Sequence, residues 1–436
     1  MSDKARVLAA KCLIEVDKGG YSNLVFKNKT KGQDYERRDL LFATALFYGT
    51  LERRLTLDFI LSKYISKPLG KLDVEVLAIL RSGLYQSLYM DSVPVSAAVN
   101  ESAALCSVFK KTSAKGFVNA VLRKSAAFDL NDIESIPDQT TRLSVKYSLD
   151  EEIVKMFLLQ YGERAKDIMA SFFNKSVTAV RVNTLRAATD EIISSLKADG
   201  VSAEVCALDG ALVIKNGDYL KSRAFSNGDI RIQSLSAQSA IEALLPEAGT
   251  MVLDMCAAPG GKTLTAAQIM KNSGEIVALD CYAGRVKLIE EQAALEGVTI
   301  VKAVVADATD YDEGTLFDRV LCDVPCSAYG EIGSKPELRY KKPPKDGELT
   351  ATQAKILANG ARHTKVGGRI VYSTCTLNTD ENEQTVAAFL RENPSFREVT
   401  PKLSLAFMET DDKFAYFLPN MQNNEGFFIA SLERIC

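Results

Sequence analysis

The sequence predicts a multidomain chain in three parts. These are an all-α helical domain over residues 1–140, a linker helix and small α+β module over 141–235, and an α/β Rossmann-like domain over 236–436. Three observations predict it. Apolar residues recur at intervals of three and four through the first part. Short alternating segments flank a glycine turn in the second. In the third, apolar runs ending in acids or thiols alternate with helix-like stretches, the order of a doubly wound sheet. At 436 residues the chain exceeds a single ordinary core, and 47% hydrophobic with 25% charged residues is a globular composition.

The helical pattern runs through ARVLAAKCLIEV (5–16), RRDLLFATALFYGTLERRLTLDFILSKYI (37–65), LDVEVLAILRSGLYQSLYM (72–90), VSAAVNESAALCSVF (95–109) and KGFVNAVLRKSAAF (115–128). Breaks fall at Gly19-Gly20, Lys67-Pro68 and Ser92-Val93-Pro94. Basic clusters at Arg37-Arg38 and Arg53-Arg54, with Lys27, Lys29 and Lys31 upstream, are candidate RNA-facing groups. In the second part TAVRVNT (178–184) alternates like a strand and ATDEIISSLKADG (188–200) reads as a helix. VSAEVCAL (201–208) and GALVIKN (210–216) form a hairpin around Asp209-Gly210, giving an RRM-like module. The third part offers strands MVLDMC (251–256), EIVALD (275–280), TIVKAVVAD (299–307), FDRVLCD (317–323) and GGRIVYSTC (367–375), with a late GFFIASLER (426–434).

Composition excludes several classes. No apolar run approaches a membrane span, and Lys11 and Glu15 interrupt the N-terminal stretch, so the expected location is cytoplasmic. Nine cysteines without paired spacing read as reduced thiols. A net charge of −3 confines any nucleic-acid binding to local patches. The single histidine, His363, is expected at the surface of a helix end, which removes Ser-His-Asp, Cys-His and histidine-rich metal chemistry. Cys322-x-x-x-Cys326 with a lone Cys375 is a poor zinc set, so no metal is expected, and Cys322 reads as a buried structural thiol.

In open α/β sheets ligands bind at the carboxyl ends of the strands. LDMCAAPGGKT (253–263) ends like a P-loop, but the first glycine that a P-loop needs falls on Cys256. It reads instead as strand, tight turn and helix, with Cys256, Ala257, Ala258, Pro259, Gly260, Gly261 and Lys262 lining a ligand. Asp280, about twenty residues on, suits a ribose. Together these indicate an adenosine-type cofactor; the absence of G-x-G-x-x-G weakens NAD, while S-adenosylmethionine has no phosphate and its ammonium and carboxylate suit backbone groups and Asp254. DVPCSAYG (323–330) is a rigid acid–proline–cysteine loop, and YSTCTLN (372–378) brings a second thiol to the same rim.

LDMCAAPGGKT, DVPCSAYG and YSTCTLNTDENE resemble the RNA cytosine-5 methyltransferases of the Sun/NOL/NOP2 family. VPVSAAVNESAAL and KGFVNAVLRK resemble a NusB-type RNA-binding domain, and RVNT (181–184) and LPNMQNNEGFFIA (418–430) fit the family as well. The resemblance covers nearly the whole chain. It implies methyl transfer from S-adenosylmethionine to C5 of a cytosine in 16S ribosomal RNA, the cytosine-967 site; oligomeric state is not readable from the sequence, and a monomer is the expectation. Transfer RNA is the alternative substrate, and an idle RNA-binding assembly factor the alternative class. It assigns Cys375 as the nucleophile at C6, with a lowered pKa. Cys326 becomes the group that removes the C5 proton, and Asp323 the partner of N3. Asp280, Asp307 and Asp323, with Cys256–Lys262, become cofactor contacts.

The chain departs from the family in two loops. Where the family carries an arginine pair, Pro-Asp and a tryptophan, this chain has Gly333-Ser334-Lys335-Pro336-Glu337 and no tryptophan. Asn420 and Asn424-Glu425 stand where a histidine and an aspartate are common. KPELRYKKPPK (335–345) carries Lys335, Arg339, Lys341, Lys342 and Lys345 around Tyr340, and is expected to contact phosphates and stack a base.

Overall fold

The computed structural model describes residues 3–174, 177–344, 347–410, 413–421 and 425–436. Lys345 and Asn424 lie outside the described residues. The chain divides into two compact units, Met1–Phe173 with Lys335–Pro343, and Asn174–Ser334 with Pro344–Cys436.

The first unit is all helix, as its three-and-four periodicity predicts. Its main helices are Lys4–Asp17, Ser22–Thr30, Arg37–Glu52, Arg54–Tyr64, Val74–Tyr89, Val95–Val108, Lys115–Ser125, Gln139–Tyr147, Glu151–Tyr161 and Ala165–Ser171. Side-chain carboxylates of Asp3, Asp138 and Asp150 accept backbone N–H groups at three of the N-termini, satisfying donors that a helix start leaves free. Val74–Tyr89 is buried continuously from Val76 to Leu84, and helices on all sides cover it. The one cation in that buried run, Arg81, forks onto Asp58 at 2.7 and 2.8 Å and reaches Asp17 at 2.9 Å, so the buried charge is paired.

Two expectations about basic residues are corrected here. Arg339 is fully buried and donates to the carbonyls of Tyr147 (3.0 Å) and Phe172 (2.7 Å). Burial lowers its pKa to about 10. The Tyr340 hydroxyl bonds the Leu51 carbonyl, and accepts from the Arg54 N–H at 3.1 Å. Neither is available to stack on a base or meet a phosphate, because carbonyls at helix ends of the unit already occupy their polar groups. Lys335, Lys341 and Lys342 remain exposed. Arg53 stacks over the Phe173 ring at 3.4 Å, and Arg54 pairs with Asp17 at 3.2 Å. This second basic pair therefore packs within the unit, whereas Arg37 and Arg38 are exposed.

The second unit holds two sheets. The first joins β1 (Thr178–Val182), β2 (Ser202–Val205), β3 (Ala211–Asn216) and β4 (Ile230–Ile232) in the antiparallel order β2-β3-β1-β4. The predicted hairpin is the β2–β3 pair, and the predicted helix is Thr189–Ala198. The second sheet begins with β5 (Met251–Asp254), β6 (Glu275–Asp280), β7 (Val301–Val305), β8 (Phe317–Asp323) and β9 (Thr364–Thr374). It continues with β10 (Phe396–Val399), β11 (Met408–Glu409), β12 (Ala415–Phe417) and β13 (Phe427–Arg434). Its order is β11-β12-β13-β9-β8-β5-β6-β7, with β10 on β13. β5 to β9 pair in parallel, and β13 returns antiparallel beside β9. The inner parallel strands β5 and β6 are nearly continuous buried apolar runs, whereas the edge strand β7 carries Lys302 and is largely uncovered. The fold class is thus all-α, then α+β, then mixed α/β, as the sequence predicts.

One core runs through both sheets of this unit, from Ala179, Leu208 and Ala211 to Leu264, Val252 and Ile276. A buried ion pair crosses it. Arg181 on β1 bonds Glu296, and also the Gly261 carbonyl (3.0 Å) and Thr265 (3.1 Å) at the start of the helix after β5. Glu296 also accepts from Gln268 at 2.9 Å. Arg181→Ala therefore leaves a buried carboxylate without its cation, with an expected loss of about 3–5 kcal/mol in urea unfolding. The double replacement Arg181→Met, Glu296→Leu should cost less than the single one.

Candidate active site

The strand order reverses between β5 and β8, the topological switch point where an open α/β sheet leaves a crevice at its carboxyl ends. The sequence places an acid at each strand end there, Asp254 on β5 and Asp323 on β8. β9 ends beside them with Ser373, Thr374 and then Cys375.

The turn after β5 is shaped by Gly260, whose φ of +106° begins the helix Gly261–Ile269. Such a backbone suits only glycine. Asp254 is buried beneath the turn and accepts from Thr263 Oγ1 (2.7 Å) and the Cys256 N–H (3.3 Å). Burial raises its pKa to about 7. The Cys256 thiol is likewise pushed up, first by burial and then by Cys322 and the carboxylates around it. Ala257 and Ala258 are buried while Pro259 is exposed. A cavity opens onto the turn, lined by Asp254, Cys256–Pro259, Gly261, Lys262, Asp323 and, from the preceding segment, Gln233.

Lys262 reaches across to Asp323 Oδ2 at 2.7 Å and lies 5.4 Å from the Phe427 ring. Burial alone would lower its pKa; the Asp323 carboxylate reverses this and holds it above its ordinary value. Asp323 Oδ1 accepts from Ser373 Oγ at 2.8 Å. Asp280 is buried at the end of β6, with Oδ1 accepting from the Tyr282 N–H (3.0 Å) and Oδ2 3.3 Å from Arg285. Arg285 also donates to the Ala258 carbonyl at 2.9 Å, tying the acid to the turn. Asp307 is exposed beyond the end of β7. It accepts from Thr309 N and Oγ1, both at 2.8 Å, and these bonds hold it below the usual carboxylate range.

The two predicted thiols meet. Cys326 Sγ and Cys375 Sγ are 3.3 Å apart, and Cys375 Sγ is 3.4 Å from Glu331 Oε2. The expected low pKa of Cys375 is corrected. Its pKa is raised well above normal, first by the hydrogen bond with Cys326, then by burial, then by Glu331 and Asp323. Negative neighbours and a shared proton disfavour the thiolate. His363 is also corrected. It does end the helix Glu348–Arg362, but it is buried, with Nδ1 3.0 Å from the Thr315 carbonyl and Nε2 2.9 Å from that of Tyr311. The 311–315 loop folds over the helix end and takes up both ring nitrogens. Cys322 is fully buried.

Behind the thiols lies a knot that motif reasoning missed. The Glu381 carboxylate, fully buried, accepts from Ser327 N (2.9 Å), Ser327 Oγ (2.6 Å), Gln353 (3.0 Å) and Asn378 (3.0 Å). Ser327 Oγ also lies 2.7 Å from Thr376 Oγ1. Each thiol's following residue is therefore locked to the other loop. Its signal was present as TDENE after Cys375, but nothing in the spacing says which acid turns inward. Glu331 and Gln233 carried no sequence signal at all. The structure thus brings together Cys256, Lys262, Asp323, Cys326 and Cys375, with Asp280 alongside, and leaves Asp307 at the exposed margin.

Two tests follow from this geometry. Asp254 keeps its proton to about pH 7 in the fold, whereas an unfolded aspartate releases it near pH 4. Stability present below the lower value is then lost as pH rises through the upper one. Asp254→Asn should raise the melting temperature at pH 8, and flatten its decline between pH 5 and 8. Glu381→Ala leaves four donors unpaired, so urea unfolding should show a loss of about 2–4 kcal/mol, whereas Glu381→Gln should lose less.

Comparison with known proteins sets this geometry among relatives. A family model for the 16S rRNA methyltransferase RsmB/F matches residues 241–433, one for the NusB family matches 3–127, and one for an RsmF/B-like ferredoxin-like domain matches 152–218. The chain is 34% identical to the probable ribosomal RNA small subunit methyltransferase B of Bacillus subtilis (strain 168), over 98% of each chain. It is 30% identical to ribosomal RNA small subunit methyltransferase B of Pseudomonas syringae pv. tomato, over 90% of this chain and 88% of that one. The solved structure of PH0851 superposes with a TM-score of 0.83 at 28% identity, covering all of both chains. NSun6 from Pyrococcus horikoshii, solved with SFG, shares the fold with a TM-score of 0.62 at 23% identity, over 66% of this chain and 98% of that one. With identity above 30% sustained along nearly its full length, the chain belongs to the ribosomal RNA small subunit methyltransferase B family.

Proposed function

We propose that the chain transfers a methyl group from S-adenosylmethionine to C5 of a cytosine in 16S ribosomal RNA, at the cytosine-967 site, through a covalent bond between Cys375 and C6. The observation that carries this reading is the 3.3 Å meeting of two thiols from separate strands, beside Asp323 and Lys262. The proposed division of labour is a NusB-like RNA-binding domain over 1–140, an RRM-like module over 141–235 and the methyltransferase domain over 236–436.

The residues present fit the cofactor. Gly260 lets the backbone turn closely, and Asp280 offers a carboxylate for ribose hydroxyls. Gln233 Nε2 is buried without a hydrogen-bond partner among the described residues, and comes within 3.9 Å of the position a Gly261 side chain would take. Cys256–Lys262 and Asp254 would hold the methionyl end, and Asp307 the far end. When bound, S-adenosylmethionine supplies an electrophilic methyl group. C5 of cytosine is a weak nucleophile, and addition of the Cys375 sulfur at C6 places the ring's electron pair on C5. Asp323 hydrogen-bonds or protonates N3, with Lys262 beside it, and offsets charge on the ring. Cys326 takes the C5 proton, after which the C6–S bond breaks. The target base must leave its stack to reach these groups.

Radiolabelled S-adenosylmethionine offered with protein-free 16S RNA and with bulk transfer RNA tests the proposal. Label at C5 of cytosine in 16S RNA alone, absent with Cys375→Ala, is the expected result. Label in transfer RNA overturns the substrate and keeps the chemistry; label in neither, with cofactor bound, favours an idle fold. Cys326→Ala should accumulate covalent enzyme–RNA adduct on denaturing gels, and Cys375→Ala should form none. Equal adduct from both would sink the assignment of roles.

A further inference from the structure

We propose that Glu331 is a further catalytic residue, the base that takes the thiol proton of Cys375. This rests on the reading of Cys375 as the nucleophile. Glu331 Oε2 stands 3.4 Å from Cys375 Sγ, within reach of an S–H donor. The chain holds it there by backbone. Glu331 closes a short turn, Tyr329–Glu331, in which its N–H donates to Ala328 O at 2.9 Å. The Gly330 N–H donates to the Cys375 carbonyl at 2.9 Å, and the Gly426 N–H donates to Gly330 O at 2.9 Å. A side chain at Gly330 would come within 1.9 Å of the Gly426 carbonyl oxygen, so the contact admits only glycine. The turn that carries the carboxylate is therefore clamped directly onto the nucleophile's own backbone.

Among the acids around the thiol, Glu331 is the one whose oxygen lies against the sulfur itself. Asp323 receives Lys262 and Ser373, Asp254 receives Thr263, and Glu381 receives four donors. The one histidine is bound to carbonyls at Thr315 and Tyr311. Cys326 touches the same sulfur, but a thiol is a weaker acceptor than a carboxylate. The neighbours of Cys375 keep it protonated at rest, so attack requires a base in place.

The step balances as follows. The Cys375 S–H bond breaks and its proton passes to Glu331 Oε2. The sulfur electron pair forms the S–C6 bond, and the C5–C6 pair moves to C5. After methylation Cys326 releases its own thiol proton to solvent, the one proton lost in the cycle, and its sulfur accepts the C5 proton as the C5–C6 double bond reforms and the C6–S bond breaks. Glu331 then returns its proton to the Cys375 sulfur, so that both thiols and the carboxylate regain their starting states.

Glu331→Gln separates a base from a mere electrostatic neighbour, because the two predict opposite signs. A neighbour that only repels the thiolate would, once neutral, let Cys375 ionise more easily and speed both alkylation and adduct formation at pH 7. A base, once lost, slows adduct formation, by on the order of 10²-fold. The experiment measures single-turnover adduct formation on 16S RNA in the Cys326→Ala background, with and without Glu331→Gln, from pH 6.5 to 9.5. The expected result is the slow rate at pH 7, recovering as pH rises until the thiol ionises unaided. Melting temperature and calorimetric binding of S-adenosylhomocysteine should match those of the parent, showing that the fold and cofactor site are intact. Glu331→Asp, which keeps the acid but shortens the reach, should fall between the two. An unchanged or faster rate at pH 7 in Glu331→Gln overturns the proposal. Absence of adduct in the Cys326→Ala parent itself overturns instead the reading on which it rests.

Discussion

The crevice is organised around a buried carboxylate whose partners, among the described residues, are neutral donors. Glu381 gathers four neutral donors from three segments: the loop after β8, the helix Glu348–Arg362, and the loop after β9. Neutral donors from fixed backbone can hold a buried anion, provided that each is aimed at it. The arrangement fixes Ser327 and Thr376, each directly following a thiol. Two sulfurs on separate loops can stay 3.3 Å apart only if the loops cannot slide past one another. The β8–β9 ladder sets the coarse register, pairing Asp323 with Ser373. Glu381 sets the fine one, three to four residues beyond the point where the ladder stops.

A second constraint acts at the other side of the same unit. The helix after β5 begins at Gly261, whose carbonyl receives Arg181 from β1. The small antiparallel sheet therefore holds the start of the helix that shapes the glycine turn. Arg181 is bound in turn by Glu296, at the end of the helix after β6. The RVNT segment, which reads in the sequence as an ordinary alternating strand, is thus part of the scaffold of the crevice. Its apolar residues face the small sheet's own core, with Val180 and Val182 among Ile192, Leu196 and Leu212. Its arginine faces the larger sheet's helices. Strand alternation gives this two-sidedness directly.

Periodicity and strand-end chemistry made most of the architecture legible. Each parallel strand was an apolar run whose last residue was an acid or lay beside a thiol, and the topology brought Asp254, Asp280, Asp323 and Cys375 to one edge. What failed was environment. Lys335–Lys345 was expected to meet phosphates and stack a base, yet Arg339 is buried and Tyr340 half-buried, both bound to carbonyls, because charge density says nothing about which carbonyls lie nearby. His363 was placed correctly at a helix end and wrongly at the surface, because a loop distant in pattern folds over it. The low pKa expected of Cys375 came from its role alone, whereas protonation depends on neighbours, and those are acids and another thiol. Glu331 was invisible, and Glu381 indistinguishable from its neighbours in TDENE, for a related reason: a carboxylate's partners are set by tertiary contacts that no short spacing encodes.

The same neighbours explain why Gly260-Gly261-Lys262-Thr263 does not serve a nucleoside triphosphate. In a P-loop the lysine reaches phosphates and the hydroxyl reaches a metal ion. Here Lys262 is paired with Asp323 at 2.7 Å, and Thr263 donates to Asp254 at 2.7 Å. Both groups that would meet the anion and its metal are turned inward onto carboxylates at the ends of β8 and β5. A third carboxylate, Asp280, closes the neighbouring strand. A polyphosphate brought to this edge would meet three acids, while the lysine that a P-loop would turn to it is already paired. The lysine in turn serves the crevice rather than the turn. It neutralises Asp323 and lies near enough to Cys375 for their charges to interact. The glycine turn then contributes shape alone, and the chemistry of the edge is left to sulfur and carboxylate.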